Sequence, residues 1–226
     1  MHVFYLHGFA SSAQSSKAGF FRARFAVHGV TLQIPDFNEP DFSTLTISRM
    51  LDQVQRGIED AGPGPIALIG SSLGGFVAVE SAARNPGRVD RLVLLAPALD
   101  FSATRVGDLG DRSLDDWRAS NTLNVFHYAY GRVVPVHYDL FADAQQYDPL
   151  NARVDVPIQI FQGRGDTAVS PDTVERWASA RPNAELHLLD DDHQLHASLE
   201  GIWAETARFL GLTPEPSRPP GGARRA

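Results

Sequence analysis

The stretch 66–75 constrains this chain more than any other. Residues 66–69, Ile-Ala-Leu-Ile, form a short apolar run that reads as a buried strand. The run passes without a linker into Gly70-Ser71-Ser72-Leu73-Gly74-Gly75. A helical pattern then extends from about Leu73 to Arg84, where Asn85-Pro86-Gly87 halts it. A serine with glycines two before and two after it, set between a strand and a helix, matches G-x-S-x-G. Such a turn projects a hydroxyl from the strand end, and the glycines let backbones pass where a side chain would clash. The five-residue pattern alone recurs by chance in glycine-rich chains; the strand before it and the helix after it are the more demanding requirement. A phosphate-binding turn at a helix N-terminus is the competing reading, but no Gly-Lys-Ser/Thr follows. Ser72 holds the central position and is the candidate nucleophile. Ser71 reads as a sheet-packing or supporting hydroxyl.

The rest of the chain repeats the same grammar. Further strands are expected at 3–6, 30–34, 91–96, 158–161 and 185–189. Helices are expected between them: one capped by Ser15 or Ser16 and burying Ala18, Phe21 and Phe25, one through Ile47, Leu51, Val54 and Ile58, one starting at Ser170-Pro171, and a last one ending at Gly211. Strand–helix alternation implies an α/β fold with a mostly parallel sheet of about six strands and helices on both faces, and ligands bind outside the carboxyl ends of such strands. Two segments break the pattern. Residues 99–152 are polar, aromatic-rich and irregular, too long for a plain connection, and are read as a cap inserted into a core of 1–98 and 153–212. Residues 213–226, rich in proline, glycine and arginine, read as a disordered tail.

Composition removes several classes. The 226 residues suit one domain, and a hydrophobic content of 43% permits a sizeable core. Twenty basic against 27 acidic residues give a formal charge of −7, which argues against a nucleic-acid binder. With no cysteine, disulfides, thiolate nucleophiles and Cys-based zinc sites are excluded. The opening Met1-His2-Val3-Phe4-Tyr5-Leu6-His7-Gly8 has no basic leader and only a short apolar run, so no signal peptide or membrane span is expected and cytoplasmic residence is the default.

The remaining chemistry lies at strand ends. His7-Gly8-Phe9 follows the first strand, where a loop can supply a backbone N–H for a developing oxyanion; the Phe9 amide is one candidate donor and the Leu73 amide the other. His7 itself reads as a structural hydrogen-bonding residue. Asp166 sits in Gln162-Gly163-Arg164-Gly165-Asp166 beyond the fifth strand and is the candidate acid partner, with Asp100 in reserve. After the sixth strand, Asp190-Asp191-Asp192-His193-Gln194-Leu195-His196 offers either His193 or His196 as base. His193 is nearer the strand end, whereas His196 is expected about where the final helix begins, to cap or pack. The order Ser, Asp, His is the one used on this architecture. The aspartates read as a solvated turn, and a His-x-x-His pair is poorly aligned for one ion, so no metal site is expected.

Tyr5-Leu6-His7-Gly8-Phe9, the segment 11–18, the Gly70–Gly75 turn, Gly163-Arg164-Gly165-Asp166 and Asp192-His193-Gln194-Leu195 together resemble the small bacterial α/β-hydrolase esterases of YqiA type. The likeness runs from Met1 to about Gly211, interrupted at the cap. It implies a three-layer α/β-hydrolase sandwich acting on carboxylic esters or thioesters, with Ser72, Asp166 and His193 as a triad and no cofactor. A serine carboxylesterase with a small-molecule ester substrate is the leading expectation, and the cap aromatics Trp117, Phe126 and Tyr128 are expected to contact an apolar acyl or aryl group. An acyl thioesterase, a carbon–carbon bond hydrolase or a cofactor-free haloperoxidase would use the same scaffold. A non-catalytic ligand-binding protein is the rival from another class.

Overall fold

A computed structural model describes residues 1–102 and 114–212. The expected tail, 213–226, and the 103–113 portion of the expected cap lie outside the described residues. Strands, in chain order, are β1 His2–Leu6, β2 Leu32–Gln33, β3 Ile66–Ser71, β4 Val89–Leu95, β5 Thr122–His127, β6 Arg132–His137, β7 Ile158–Gly163 and β8 Ala184–Leu189. Helices are α1 Ser16–Val27, α2 Ile47–Asp60, α3 Leu73–Arg84, α4 Leu114–Ser120, α5 Asp139–Ala144, α6 Pro171–Ser179 and α7 Leu199–Phe209. Six strands form one sheet in the order β2-β1-β3-β4-β7-β8, and every neighbouring pair is parallel.

The sheet is buried on both faces because its strands are apolar at successive positions, not at alternate ones. In β3, Ile66 and Leu68 join one core cluster with Ile47, Met50 and Val54 of α2 and with Phe76 and Val79 of α3. The intervening Ala67 and Ile69 enter a second cluster on the other face, with Phe21 and Phe25 of α1 and Ile202 and Trp203 of α7. Each fully buried Ile, Leu or Phe contributes about 1.5–3 kcal/mol relative to exposure, which makes this double-sided burial the dominant stabilising term. The start of α1 follows the expected cap: the Ser15 hydroxyl accepts from Ala18 N–H at 3.3 Å.

Two expectations change. Strand β2 spans only Leu32–Gln33, shorter than 30–34, because Val30 N–H turns back to the Phe25 carbonyl at 3.1 Å and Pro35 has no N–H for the sheet. Residues 114–152 are also more regular than expected. They contain α4, α5 and the antiparallel hairpin β5–β6, in which Leu123 faces Val136 and Val125 faces Val134. This unit packs on the α2/α3 side through Trp117, Leu123, Val136, Leu140 and Phe141. Ser48 of α2 bonds Asp143 and Tyr147 at 2.6 Å each, fastening the unit to the main core. Among the described residues, no helix is long and apolar enough to cross a membrane.

Candidate active site

The turn after β3 is built by close backbone approach. Ser72 adopts φ 53° and ψ −119°, an uncommon conformation for a residue with a side chain and one that stores strain. It is held there by Ser72 N–H to the Leu95 carbonyl at 2.9 Å and by Ala98 N–H to the Ser72 carbonyl at 3.1 Å. A methyl group at Gly74 would collide with the Leu6 carbonyl, and one at Gly70 would collide with Gly74 itself. The glycines of the motif are thus required by contact, and β1 lies directly against the start of α3.

Facing this turn, the loops after β7 and β8 bring Asp166 and His193 together with Ser72. His193 Nε2 is 3.1 Å from Ser72 Oγ, and His193 Nδ1 is 2.8 Å from Asp166 Oδ2. The Asp166 carboxylate is enclosed and accepts four hydrogen bonds. Oδ1 receives Ala168 N–H at 2.9 Å and Val169 N–H at 2.8 Å, and Oδ2 receives His193 Nδ1–H and the Gln162 amide. Burial would push this carboxyl up, but donation from His193, Val169 and Gln162 outweighs it and holds Asp166 below the usual carboxylate range. An ionised Asp166 fixes Nδ1 as the protonated nitrogen, leaving Nε2 to accept from the Ser72 hydroxyl. The row is chemically able to draw a proton from serine and to stabilise the imidazolium that forms.

The other expected residues separate into groups. Gly8 and Phe9 border Ser72: a Cβ on Gly8 would lie 3.1 Å from Ser72 Cβ, so the loop after β1 rests on the nucleophile turn. Phe9 and Leu73 both line the cavity above the serine, and the Phe9 ring packs on Phe42 with centroids 5.4 Å apart. His7 is buried, with Nε2 accepting from Phe37 N–H at 3.0 Å and Nδ1 donating to the Gly8 carbonyl at 2.9 Å, in keeping with a structural part. Asp100 lines the cavity, while the carboxylate on His193 is that of Asp166. His196 lies three residues before α7 on the loop itself and not at the helix start; its Nε2 is 3.2 Å from Ser16 Oγ. Asp191 is not a merely solvated turn residue. Its carboxylate receives Ser198 N–H at 2.9 Å and Asp192 N–H at 2.8 Å, and this folds the His193 loop back on itself.

The cavity has a volume of about 1250 Å³. Its aromatic wall carries Phe9, Phe101, Phe126, Tyr128 and Tyr130; its polar wall carries Ser12, Gln14, Ser16, Lys17 and His196. Phe126 and Tyr128 are 51% and 74% exposed and meet edge to face at 5.4 Å, leaving both rings accessible. Trp117 also borders the cavity but belongs to the core beneath the hairpin: it is buried, and its indole N–H donates to the Val136 carbonyl at 3.1 Å.

Two site residues were not expected from sequence. Gln162, fully buried at the end of β7, donates to Asp166; its place four residues before the acid, on the strand end, was the available signal. Lys17, buried on α1, donates to Ser71 Oγ at 3.2 Å. It sits four residues before Phe21 and eight before Phe25, on the inward stripe of the helix, where a lysine is anomalous.

Comparison with known proteins agrees with this architecture. The chain is 36% identical over 69 residues to Lipase LipV of Mycobacterium tuberculosis, covering 30% of this chain and 26% of that protein. It is 25% identical over 158 residues to the human mitochondrial palmitoyl-protein thioesterase ABHD10, covering 69% of this chain and 52% of that protein. The matched parts thus span a quarter to about half of these relatives. Among solved structures, Est1E from Butyrivibrio proteoclasticus with ferulic acid bound superposes with a TM-score of 0.80 at 20% identity, covering 92% of this chain and 87% of that one. Mouse ABHD10 gives 0.76 at 19% identity, covering 93% and 89%. The sheet order, the flanking helices and these likenesses are those of the α/β hydrolases, and the proteins so resembled are esterases, lipases and thioesterases by name. With the family model matched across residues 2–209, the chain belongs to the uncharacterised protein family UPF0227.

Proposed function

We propose that this hydrolase is a serine carboxylesterase working through an acyl-enzyme. The observation that carries the reading is the continuous row Ser72 Oγ, His193, Asp166, with separations of 3.1 and 2.8 Å. His193 Nε2 takes the Ser72 proton as Oγ attacks the ester carbonyl. The carbonyl oxygen gains charge against the Phe9 and Leu73 amides, and His193 returns its proton to the departing alkoxide. Water then repeats the sequence: it gives a proton to His193, attacks the acyl carbon, and Ser72 leaves with that proton restored. The aromatic wall supports an apolar acyl or aryl group as the part held beside Ser72, with the described residues 114–152 acting as part of a cap.

Acyl thioester hydrolysis is the second reading, favoured by the similarity to palmitoyl-protein thioesterases over 69% of the chain. A thiolate leaves without needing full protonation by His193, so the two reactions differ in their demand on the imidazolium. Initial rates on a series of p-nitrophenyl esters and on acyl-CoAs of matched chain length test the choice. The carboxylesterase reading expects the esters to be preferred in kcat/KM at every chain length. A reversed order makes the enzyme a thioesterase, and absence of turnover on both series removes both readings.

A further inference from the structure

The loop that carries the Phe9 amide is held from the hairpin side by a buried pair that the mechanism above does not use. Ala10, the residue after Phe9, takes φ 52°, a left-handed conformation that a residue with a side chain keeps only when its surroundings enforce it. Two bonds from outside the loop do so. Tyr128 N–H, just beyond β5, donates to the Ala10 carbonyl at 3.0 Å, and Asn38 Nδ2 donates to the Ser11 carbonyl at 2.8 Å. Asn38 is in turn met by His127, the last residue of β5, whose Nε2 lies 3.2 Å from Asn38 Oδ1. The direction of these bonds is fixed by a third. Tyr130 N–H donates to His127 Nδ1 at 3.3 Å, so Nε2 carries the proton of the neutral ring, Asn38 Oδ1 accepts it, and Nδ2 is left for Ser11. Both Asn38 and His127 are buried. The His127 ring stacks on Tyr130 with centroids 3.8 Å apart and meets Phe42 edge to face at 4.6 Å, and Phe42 packs on Phe9. A polar and an aromatic path thus both run from the hairpin to the oxyanion loop.

Resting on the reading of Ser72 as an acyl-forming nucleophile, we propose that Asn38 and His127 are positioning residues that hold the Phe9 amide on the oxyanion, so that the β5–β6 hairpin sets the transition-state site as well as the cavity wall. A backbone N–H moves with its peptide plane. The Phe9 N–H shares a plane with the Gly8 carbonyl, which His7 Nδ1–H holds at 2.9 Å. His7 therefore fixes the loop ahead of Phe9, and Asn38 and Tyr128 fix it behind. Without the second anchor the strained turn at Ala10 relaxes and carries the amide with it. An oxyanion donor matters most where negative charge develops, so its displacement is felt in the transition state far more than in the bound substrate. A pair that only attached the hairpin would account for a loss of stability on its removal, but not for a loss of kcat.

The test compares steady-state kinetics, inhibition by butylboronic acid and a thermal melt for wild type, Asn38→Leu, His127→Phe and His127→Gln. The substrate is whichever of p-nitrophenyl butyrate and butyryl-CoA the wild type turns over faster. Asn38→Leu should lower kcat about 10- to 100-fold with KM held within about twofold, a part of what complete loss of one oxyanion donor costs. The boronate sets an oxygen at the oxyanion position when it adds to Ser72, so its Ki should rise by about the same factor. His127→Phe keeps the ring packing without the Nε2–H donor and should lose about three- to tenfold in kcat. His127→Gln, whose amide can take the place of Nε2–H, should recover most of that loss. If Asn38→Leu does not fold, the two His127 variants carry the test. Wild-type kcat in Asn38→Leu overturns the proposal, however far the melting temperature falls. So does a rise in KM with kcat unchanged, which makes the pair a shaper of the cavity, or a fall in kcat with the boronate Ki unmoved. His127→Gln as slow as His127→Phe overturns it as well, since the ring and not the donor would then matter. Wild type without turnover on either substrate sinks the serine-hydrolase reading itself, and this inference with it.

Discussion

The Gln162 side-chain amide donates to Asp166 Oδ2 at 2.9 Å, the same oxygen that receives His193 Nδ1–H. Its orientation is unambiguous, because the Gly163 carbonyl at 3.3 Å and the Val169 carbonyl at 3.5 Å also face Nε2, and a flipped amide would set oxygen against three acceptors. Gln162 thus fixes which lone pair of Asp166 is left for the imidazole. Replacing it with methionine, similar in length but without the donor, should lower kcat/KM about 10- to 100-fold, the equivalent of one hydrogen bond to a charged group. The melting temperature should change little. Steady-state kinetics on a p-nitrophenyl ester check this, and wild-type turnover in Gln162→Met would remove Gln162 from the account.

The cavity aromatics should divide by burial. Phe126→Ala and Tyr128→Ala remove accessible rings, so the preferred acyl length should shift in graded fashion, by about 1–3 kcal/mol per methylene at most. Trp117→Ala acts on the core under the hairpin and should destabilise by about 3–5 kcal/mol. Chain-length profiles and denaturant melts separate the two. An unaltered profile in both exposed-ring variants would make the hairpin an outer decoration.

Stability should carry the mark of Lys17. Burial lowers its ammonium from 10.5 to about 8, with Asp166, Asp192 and Asp191 opposing the change. Below about 8 both folded and unfolded chains hold the proton, and the cost of burying the charge is present in full. Between about 8 and 10.5 the unfolded chain binds the proton more strongly, so stability gains from this group as pH rises. The full span corresponds to about 3 kcal/mol. Tyr5, whose phenol burial pushes up, opposes this only above its ordinary 10.0. Urea melts at pH 7 to 10 should therefore show a smaller gain with pH in Lys17→Met than in wild type; parallel curves would contradict a buried ammonium.

Much of this was legible in the sequence because the decisive signals are local. The apolar run ending in Gly70-Ser71-Ser72-Leu73-Gly74 contains its own strand, turn and helix start, and α3 spans Leu73–Arg84 as the periodicity requires. The segment 114–152 was less legible. Pro135 within β6 argues against a strand, yet it sits opposite Asn124 in a two-stranded ribbon whose outer edges need no donor. That His196 lines the cavity was not legible, because Asp191 accepts from Ser198 N–H and Leu195 takes φ 56°, features of a fold-back invisible to periodicity. Lys17 and Gln162 acquire their meaning only from residues more than fifty positions away, or from a carboxylate whose role is set in three dimensions.

The central claim is that Ser72 is the nucleophile and His193 its base. It is tested most directly by kcat/KM on one p-nitrophenyl ester for Ser72→Ala, His193→Ala, their double variant, Asp166→Asn, Ser71→Ala and His196→Ala. Ser72→Ala and His193→Ala should each lose on the order of 10⁴-fold or more, and the double variant little beyond either, because the groups act as a unit. Asp166→Asn should lose less, though still several orders of magnitude, through a misoriented imidazole. Ser71→Ala should be far milder than Ser72→Ala. His196→Ala, which loses the contact with Ser16 at the cavity wall, should keep most of its turnover. Near-normal turnover in His193→Ala with a dead His196→Ala, or an active Ser72→Ala with a dead Ser71→Ala, would contradict the account.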